Sequence, residues 1–287
     1  MPSDNDFTGR AVFVAGGTSG INLGIAQAFA AAGAKLAVIG RSQERLDGAL
    51  QTLRRAGDDV VGFSADVRDP QAVAAALKSA YEAHGPIDVL VSGAAGNFLS
   101  SALDMSTNAF KAVVDIDLIG TFNVLRLAHE FLRKPGASII NISAPQARVP
   151  MAQQAHACAA KAGVDMLTRV LAIEWGADGI RVNAVIPGPI EGTEGMARLA
   201  PTPEASHKVT RAVPLGRFGT RHRARPTLPA LSFRSTAAGA RTAPAALARI
   251  EIGTVADDKI ELLLRSANRP PAAARQIDSL TLDRRLP

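Results

Sequence analysis

Residues 11–15 (AVFVA) are apolar without a break, and the chain then turns through Gly16-Gly17-Thr18-Ser19-Gly20. Apolar positions resume at helical spacing with Ile21, Ile25 and Phe29, so the pattern predicts a buried strand and a helix joined by a glycine-rich turn. The alternation repeats. Apolar runs at 35–40, 59–65, 88–92, 137–143 and 180–186 read as strands. Helices are predicted between them at 43–56, 70–84, 106–117, 120–132 and 152–176, the third helix of the chain with Val73, Ala76, Leu77 and Tyr81 on one face. Strands that are apolar on both faces and alternate with amphipathic helices imply a parallel sheet covered on both sides. This is an α/β fold, a doubly wound, Rossmann-like parallel sheet, with ligands expected at the carboxyl ends of its strands.

The pattern stops near Arg221. Residues 221–287 show no clear strand period, carry 11 Arg against 1 Lys and hold six of the 17 prolines; only 255–264 has helix-like content. Residues 1–220 are therefore read as the nucleotide-binding domain. Residues 221–287 form an atypical basic tail, largely disordered or loosely attached. Charge supports the division. Residues 1–220 hold 20 Lys+Arg and 20 Asp+Glu, whereas the tail holds 12 and 6 and so carries the whole net charge of +6. The basic balance thus says nothing about the domain's ligand, and no nucleic-acid partner is expected.

Cys158 is the only cysteine, which excludes an internal disulfide and a cysteine-cluster metal site and suits a reducing compartment; no metal is expected. No apolar run is long enough for a membrane span, and the N-terminus is polar rather than signal-like. These features suggest a cytoplasmic protein.

The glycine turn aims backbone N–H groups and a helix dipole at one spot, which suits a phosphate, although a tight structural turn would use the same glycines. Strand two ends in Gly40-Arg41-Ser42, with no acid to accept from a ribose 2′-OH. A small residue followed by Arg41 leaves room and positive charge for a 2′-phosphate, favouring NADPH over NADH. Asp66, ending strand three, is placed either to accept from an adenine amino group or to cap the turn before Arg68-Asp69-Pro70.

The glycine turn, Ala65-Asp66-Val67, Ser92-Gly93-Ala94-Ala95-Gly96, Lys161 in a long helix and Arg181-Val182-Asn183 with Pro187-Gly188 resemble the short-chain dehydrogenase/reductase family over residues 8–220. Gly96-Asn97-Phe98-Leu99, Asp115-Ile116-Asp117 with Gly120-Thr121-Phe122-Asn123, and Pro187-Gly188-Pro189-Ile190 with Gly192-Thr193-Glu194-Gly195 look more closely like the peroxisomal-type 2,4-dienoyl-CoA reductases and their bacterial relatives. The resemblance implies cofactor contacts from Gly16, Thr18, Ser19, Gly20, Ile21, Arg41, Asp66, Val67, Ala94, Ala95, Gly96, Lys161, Pro187, Gly188 and Ile190. Substrate contacts are implied for Asn97, Phe98 and Ser143.

Most of the family places a Tyr four residues before the Lys and a Ser thirteen before the Tyr; here those positions are Ala157 and Ala144. Tyr81, the only tyrosine, lies in another helix. The resemblance instead implies that Asp117 and Lys161 hold a water that protonates the α carbon of a dienoyl thioester after NADPH has reduced its δ carbon. Ala157 and Lys161, at i and i+4, share one helix face. The alternative is a non-catalytic NADP-binding or interaction protein of the same fold, with Ala144 and Ala157 marking lost chemistry.

Gln154 and His156 border the vacant Tyr position, where they either contact substrate or, the favoured reading, face solvent. Asn22 stands where the family usually has its third glycine, a position where a side chain could crowd a pyrophosphate. The family ending (a helix, a seventh strand and a Gly-Gly turn) is not recognisable after residue 220, and abundant Arg, Ala and Pro fit a sequence replaced by a reading-frame shift. A homo-oligomer, expected of the family, is in doubt with such a tail. The chain ends Arg285-Leu286-Pro287 without a peroxisomal signal, which favours a bacterial-type cytoplasmic setting.

Overall fold

In the computed structural model, which describes residues 7–213, 216–219 and 250–252, every residue of the first strand, β1 (Ala11–Ala15), is buried. Its alternate side chains divide between two cores. Val12 and Val14 join Ile25, Phe29, Leu36, Val38 and Leu46 on one face of the sheet. Phe13 and Ala15 join Ile39, Leu77, Leu90, Leu125 and Ile139 on the other. Successive residues of a strand point to opposite faces, so a strand covered on both sides must be apolar throughout.

The order along the chain is the predicted alternation. After β1 come α1 (Gly20–Ala31), β2 (Lys35–Gly40), α2 (Gln43–Arg54), β3 (Val60–Ser64), α3 (Pro70–His84) and β4 (Ile87–Ser92). Then follow α4 (Thr107–Val114), α5 (Gly120–Ala128), β5 (Ser138–Ile142), α6 (Ala155–Glu174) and β6 (Arg181–Pro187). Two short helices to which the sequence pattern assigned nothing, α7 (Glu194–Leu199) and α8 (Pro203–Ala212), follow β6. Thr193 and Thr202 cap them by accepting from Met196 and Ala205 N–H. Tyr81, expected on the inner face of α3, is 41% exposed with its ring against Phe131, and Ala80 takes the buried position.

All strand pairs are parallel, in the order β3-β2-β1-β4-β5-β6-β7. The seventh, β7 (Ile250–Ile252), pairs its backbone with Val185, Ile186 and Pro187 of β6. The tail thus contributes a three-residue strand where none was expected. The rest of the tail, including the helix-like 255–264 and any altered reading frame, lies outside the described residues. The order reverses between β1 and β4, so the loops leaving these two neighbours flank a crevice at their carboxyl ends.

Candidate active site

Gly16 opens the turn after β1 with φ +80°, and a Cβ there would lie 2.8 Å from the backbone of Ala94. Only glycine combines this conformation with so close an approach. The contact draws the β1 turn against Ala94-Ala95-Gly96, the loop that leaves β4. Among the described residues, α1, like α6, lacks the side-chain N-cap that α2, α3, α4, α7 and α8 have. Ser42, Asp69, Ser106, Thr193 and Thr202 each cap their own helix with a side-chain oxygen. Ser19, at the N-cap of α1, makes no such bond, and the first turn holds no acid. An uncapped first turn keeps N–H donors and the positive end of the dipole available to an anion.

The loop after β6 comes over this turn. Ile190 is buried, Glu191 N–H donates to the Gly219 carbonyl, and Thr193 Cγ2 lies 4.0 Å from the Cβ position of Gly20. Arg45 of α2 pairs with Glu194 at 2.6 Å, tying the loop down. Arg41 is exposed at the end of β2. Asp66 caps its turn: its carboxylate accepts from Arg68 N–H at 2.9 Å and pairs with the Arg68 guanidinium at 2.6 Å. The hydrogen bond from Arg68 holds this carboxyl below its ordinary value. Val67 is buried, packs against Gly120 and accepts at its carbonyl from Asn123 Nδ2 at 3.0 Å, so it positions the next helix. Asn22 donates to the Gly93 carbonyl at 2.6 Å, so its amide group braces the loop after β4.

Between α4 and α5 the helix widens into one turn of π-helix, Asp115–Ile119, with Asp117 at its centre. Gly120 N–H reaches back five residues to the Asp115 carbonyl. The predicted helix pair is therefore one interrupted helix, and such bulges recur at functional sites because they re-aim one side chain. Thr121 Oγ1 donates to the Asp117 carbonyl at 2.7 Å. Asp117 itself is 1% exposed. Its Oδ1 accepts from Gly96 N–H at 2.7 Å, and its Oδ2 lies 3.3 Å from Lys161 Nζ.

Lys161 comes from the middle of α6, is buried, and donates to the Ile142 carbonyl at the end of β5 at 3.1 Å. Ala157 lies one turn before it, also buried. Two opposite charges are thus removed from water with one neutral partner each, an arrangement that adds little to stability.

The N-terminal end of α6 closes the site and departs from expectation. Gln154 and His156 are buried, His156 completely. Gln154 Oε1 accepts from Asn97 Nδ2 at 2.8 Å and from Gln146 Nε2 at 3.0 Å. The His156 ring meets Phe98 edge to face, with centroids 4.4 Å apart. A signal was present: His156 stands four and eight residues before Ala160 and Val164, both buried, so helical spacing puts it on the inward row. Ser143 is buried beside the Ile142 carbonyl, with its N–H donating to Val185. Among the described residues, Asn97 Oδ1, Ser143 Oγ and His156 Nε2 are buried without a hydrogen-bond partner. Buried polar atoms are nearly always paired, so these three are open to a ligand's polar groups; atoms of Asn22, His84, Ser138, Asn141 and Asp165 are likewise buried without a hydrogen-bond partner among the described residues.

A doubly wound sheet, an uncapped glycine turn and a buried Asp–Lys pair at the strand ends define a nucleotide-dependent oxidoreductase. The chain belongs to the short chain dehydrogenase family, which it matches over residues 10–204. It is 46% identical over 215 residues to the peroxisomal 2,4-dienoyl-CoA reductase [(3E)-enoyl-CoA-producing] of Rattus norvegicus, covering 74% of this chain and 73% of that one. It is 42% identical over 221 residues to the protein of the same name from Arabidopsis thaliana, covering 74% of each. A probable 2,4-dienoyl-CoA reductase [(2E)-enoyl-CoA-producing] of Bacillus subtilis is 40% identical over 214 residues, 74% of this chain and 84% of that one. Among solved structures, a short chain dehydrogenase from Bacillus anthracis superposes with a TM-score of 0.70 at 33% identity, covering 78% of this chain and 89% of that one.

Proposed function

We propose that this chain reduces 2,4-dienoyl-CoA thioesters to 3-enoyl-CoA with NADPH, as a step of fatty-acid β-oxidation. The observation that carries the reading is the buried Asp117–Lys161 pair, 3.3 Å apart, in a site whose Tyr and Ser positions are Ala157 and Ala144. Carbonyl reduction needs a proton donor at oxygen, which Tyr supplies in most of the family. Reduction of a conjugated thioester instead needs a proton at carbon.

The uncapped start of α1 and the Ala94–Gly96 loop would hold the dinucleotide, with Thr18, Ser19, Gly20 and Ile21 toward its phosphates. Exposed Arg41 would meet a 2′-phosphate, the feature that supports NADPH over NADH. Pro187, Gly188 and Ile190 would cover the nicotinamide, and Lys161 would also reach its ribose. When bound, the nicotinamide supplies a hydride. Asp117, fixed by Gly96 N–H, and Lys161, fixed by the Ile142 carbonyl, would hold the water that gives a proton to the substrate α carbon. Asn97, Phe98 and Ser143 would line the thioester side.

A homo-oligomer is supported by Met166, Val170 and Ile173, an exposed apolar stripe along α6, beside exposed Phe110, Ile119 and Phe122 of the neighbouring interrupted helix. Among the described residues no helix is long and apolar enough to cross a membrane. A cytoplasmic setting is supported by the single cysteine.

The test is NADPH oxidation by the purified chain with 2,4-hexadienoyl-CoA, with a simple ketone and a 2-enoyl-CoA as controls. Turnover of the dienoyl thioester alone is expected. Absence of turnover, with NADPH still raising the melting temperature, would replace this reading by the non-catalytic NADP-binding protein that Ala144 and Ala157 favour.

A further inference from the structure

His156 occupies the first turn of α6, where backbone N–H groups lack helical partners. Its Nδ1 accepts from Ala157 N–H at 2.7 Å. The Gln154 carbonyl nearby accepts from Cys158 N–H at 2.9 Å and keeps a second lone pair, to which the opposite tautomer would donate from Nδ1; the Ala157 N–H contact selects the tautomer in which Nδ1 accepts. In a neutral imidazole one nitrogen accepts and the other carries the proton, so Nε2 is the donor. Burial keeps the ring neutral by pushing its pKa below the ordinary histidine value, against smaller opposite pulls from the Gln154 carbonyl and Asp117. That Nε2 donor is fully buried and, among the described residues, has no partner.

Three consecutive residues of the loop after β4 hold the groups around it. Gly96 N–H donates to Asp117, Asn97 Nδ2 donates to Gln154, and the Phe98 ring packs against His156. The carboxylate of the proton-delivering pair and the histidine are therefore mounted on one short segment. Lys161 Nζ spends two of its three hydrogens on Ile142 and Asp117, Asn97 Nδ2 spends one of two on Gln154, and Ser143 Oγ is a second buried donor without a partner among the described residues.

We propose that His156 Nε2–H is the hydrogen-bond donor to the thioester oxygen of the substrate, and so a catalytic residue of the reduction proposed above, on which this inference rests. Hydride addition at the δ carbon moves the γ–δ electron pair between β and γ. The α–β pair moves toward the carbonyl carbon, and the carbonyl π pair moves onto oxygen. The donor stabilises that negative oxygen. When the oxygen pair returns, the α carbon takes a proton from the water, and the β–γ double bond remains. A neutral donor fits this step because it binds the oxygen without protonating it, leaving the proton to be delivered at carbon.

Two substitutions separate the donor from the helix-capping role. His156→Gln places an amide nitrogen near the Nε2 position and gives up the Nδ1 acceptor. His156→Asn keeps an acceptor near Nδ1 and gives up the Nε2 donor. With 2,4-hexadienoyl-CoA and saturating NADPH, His156→Asn is expected to lose about 10²–10³-fold in kcat with a smaller change in KM. His156→Gln should retain most of kcat, and both should bind NADPH and melt cooperatively. If the Asn variant turns over as well as the Gln variant while the wild type is active, His156 is a cap only: the donor role falls and the reaction stands. If the wild type reduces no dienoyl thioester, the reaction falls and the donor role falls with it.

Discussion

Two buried carboxylates lie at opposite ends of the sheet. Asp88 begins β4 at the amino edge, where Ala11 N–H donates to it at 2.9 Å and Arg10 and Arg133 reach it at 2.9 and 2.6 Å. Asp117 lies beyond the carboxyl edge with one N–H and one lysine. Asp88 is saturated by partners that join three distant parts of the chain. Asp117 stands among buried atoms that have none. The first arrangement holds strands together, and the second is the one we propose acts on a ligand. Similar burial, 7% against 1%, therefore conveys nothing about role until the partners are counted.

The contrast breaks most sharply at Asp117. Asp117→Asn keeps an acceptor for Gly96 N–H but removes the carboxylate, and kcat with 2,4-hexadienoyl-CoA should fall by about 10²–10⁴-fold. NADPH binding, measured by calorimetry, should be unchanged.

Asp88→Ala should do the reverse. Losing a carboxylate with two partly exposed arginine partners and a buried N–H should cost about 2 kcal/mol in urea unfolding, with kcat per folded molecule unaltered. Burial alone would raise the Asp88 pKa, but hydrogen bonds from Arg133, Ala11 N–H and Arg10 outweigh it and lower the value. A carboxyl lowered by folding adds stability above its unfolded pKa of about 3.9 and loses it as pH falls through the folded value. The stability gap between wild type and Asp88→Ala should therefore be full at pH 7 and close as the pH is taken below about 4.

At the cofactor end, Arg41→Ala should weaken NADPH binding about five- to tenfold and leave NADH binding nearly unchanged, as befits an exposed charge–phosphate contact of about 1 kcal/mol. Equal losses for both dinucleotides would remove Arg41 from the 2′-phosphate. The smallest effects compare two serine N-caps. Ser106→Ala deletes a bond to Ala109 N–H and should cost about 1 kcal/mol of stability. Ser19→Ala deletes no capping bond and should leave stability within about 0.5 kcal/mol while weakening NADPH binding.

The sheet was legible because its strands are covered on both faces. β1 and β2 have the predicted limits, and the Asp117–Lys161 pair follows from the motifs that carry the resemblance. Several elements were not legible. The π turn ends at Gly120, where a Cβ would lie 2.5 Å from Val67, 53 positions away in the chain. Asn22 reads as an obstruction beside the glycine turn, and only the fold supplies the Gly93 carbonyl that its amide meets. Ile250–Ile252 sits in a stretch without strand period and is a strand because β6 offers a free edge. His156 and Gln154 read as polar residues on a helix start, yet loop 96–98 covers them.

The amino-acid sequence by itself determined the doubly wound sheet, the glycine turn after β1 and the absence of the family tyrosine. These depend on residue type and on spacing within a single element, and local sterics and apolar periodicity act over those few residues. Tertiary structure alone decided which polar groups are left without partners. A hydrogen bond is satisfied or left open by what another part of the chain brings to it. At the carboxyl ends of β4 and β5, the loop 96–98, the π turn and the start of α6 bring Asp117 and Lys161 together and leave His156 Nε2 open.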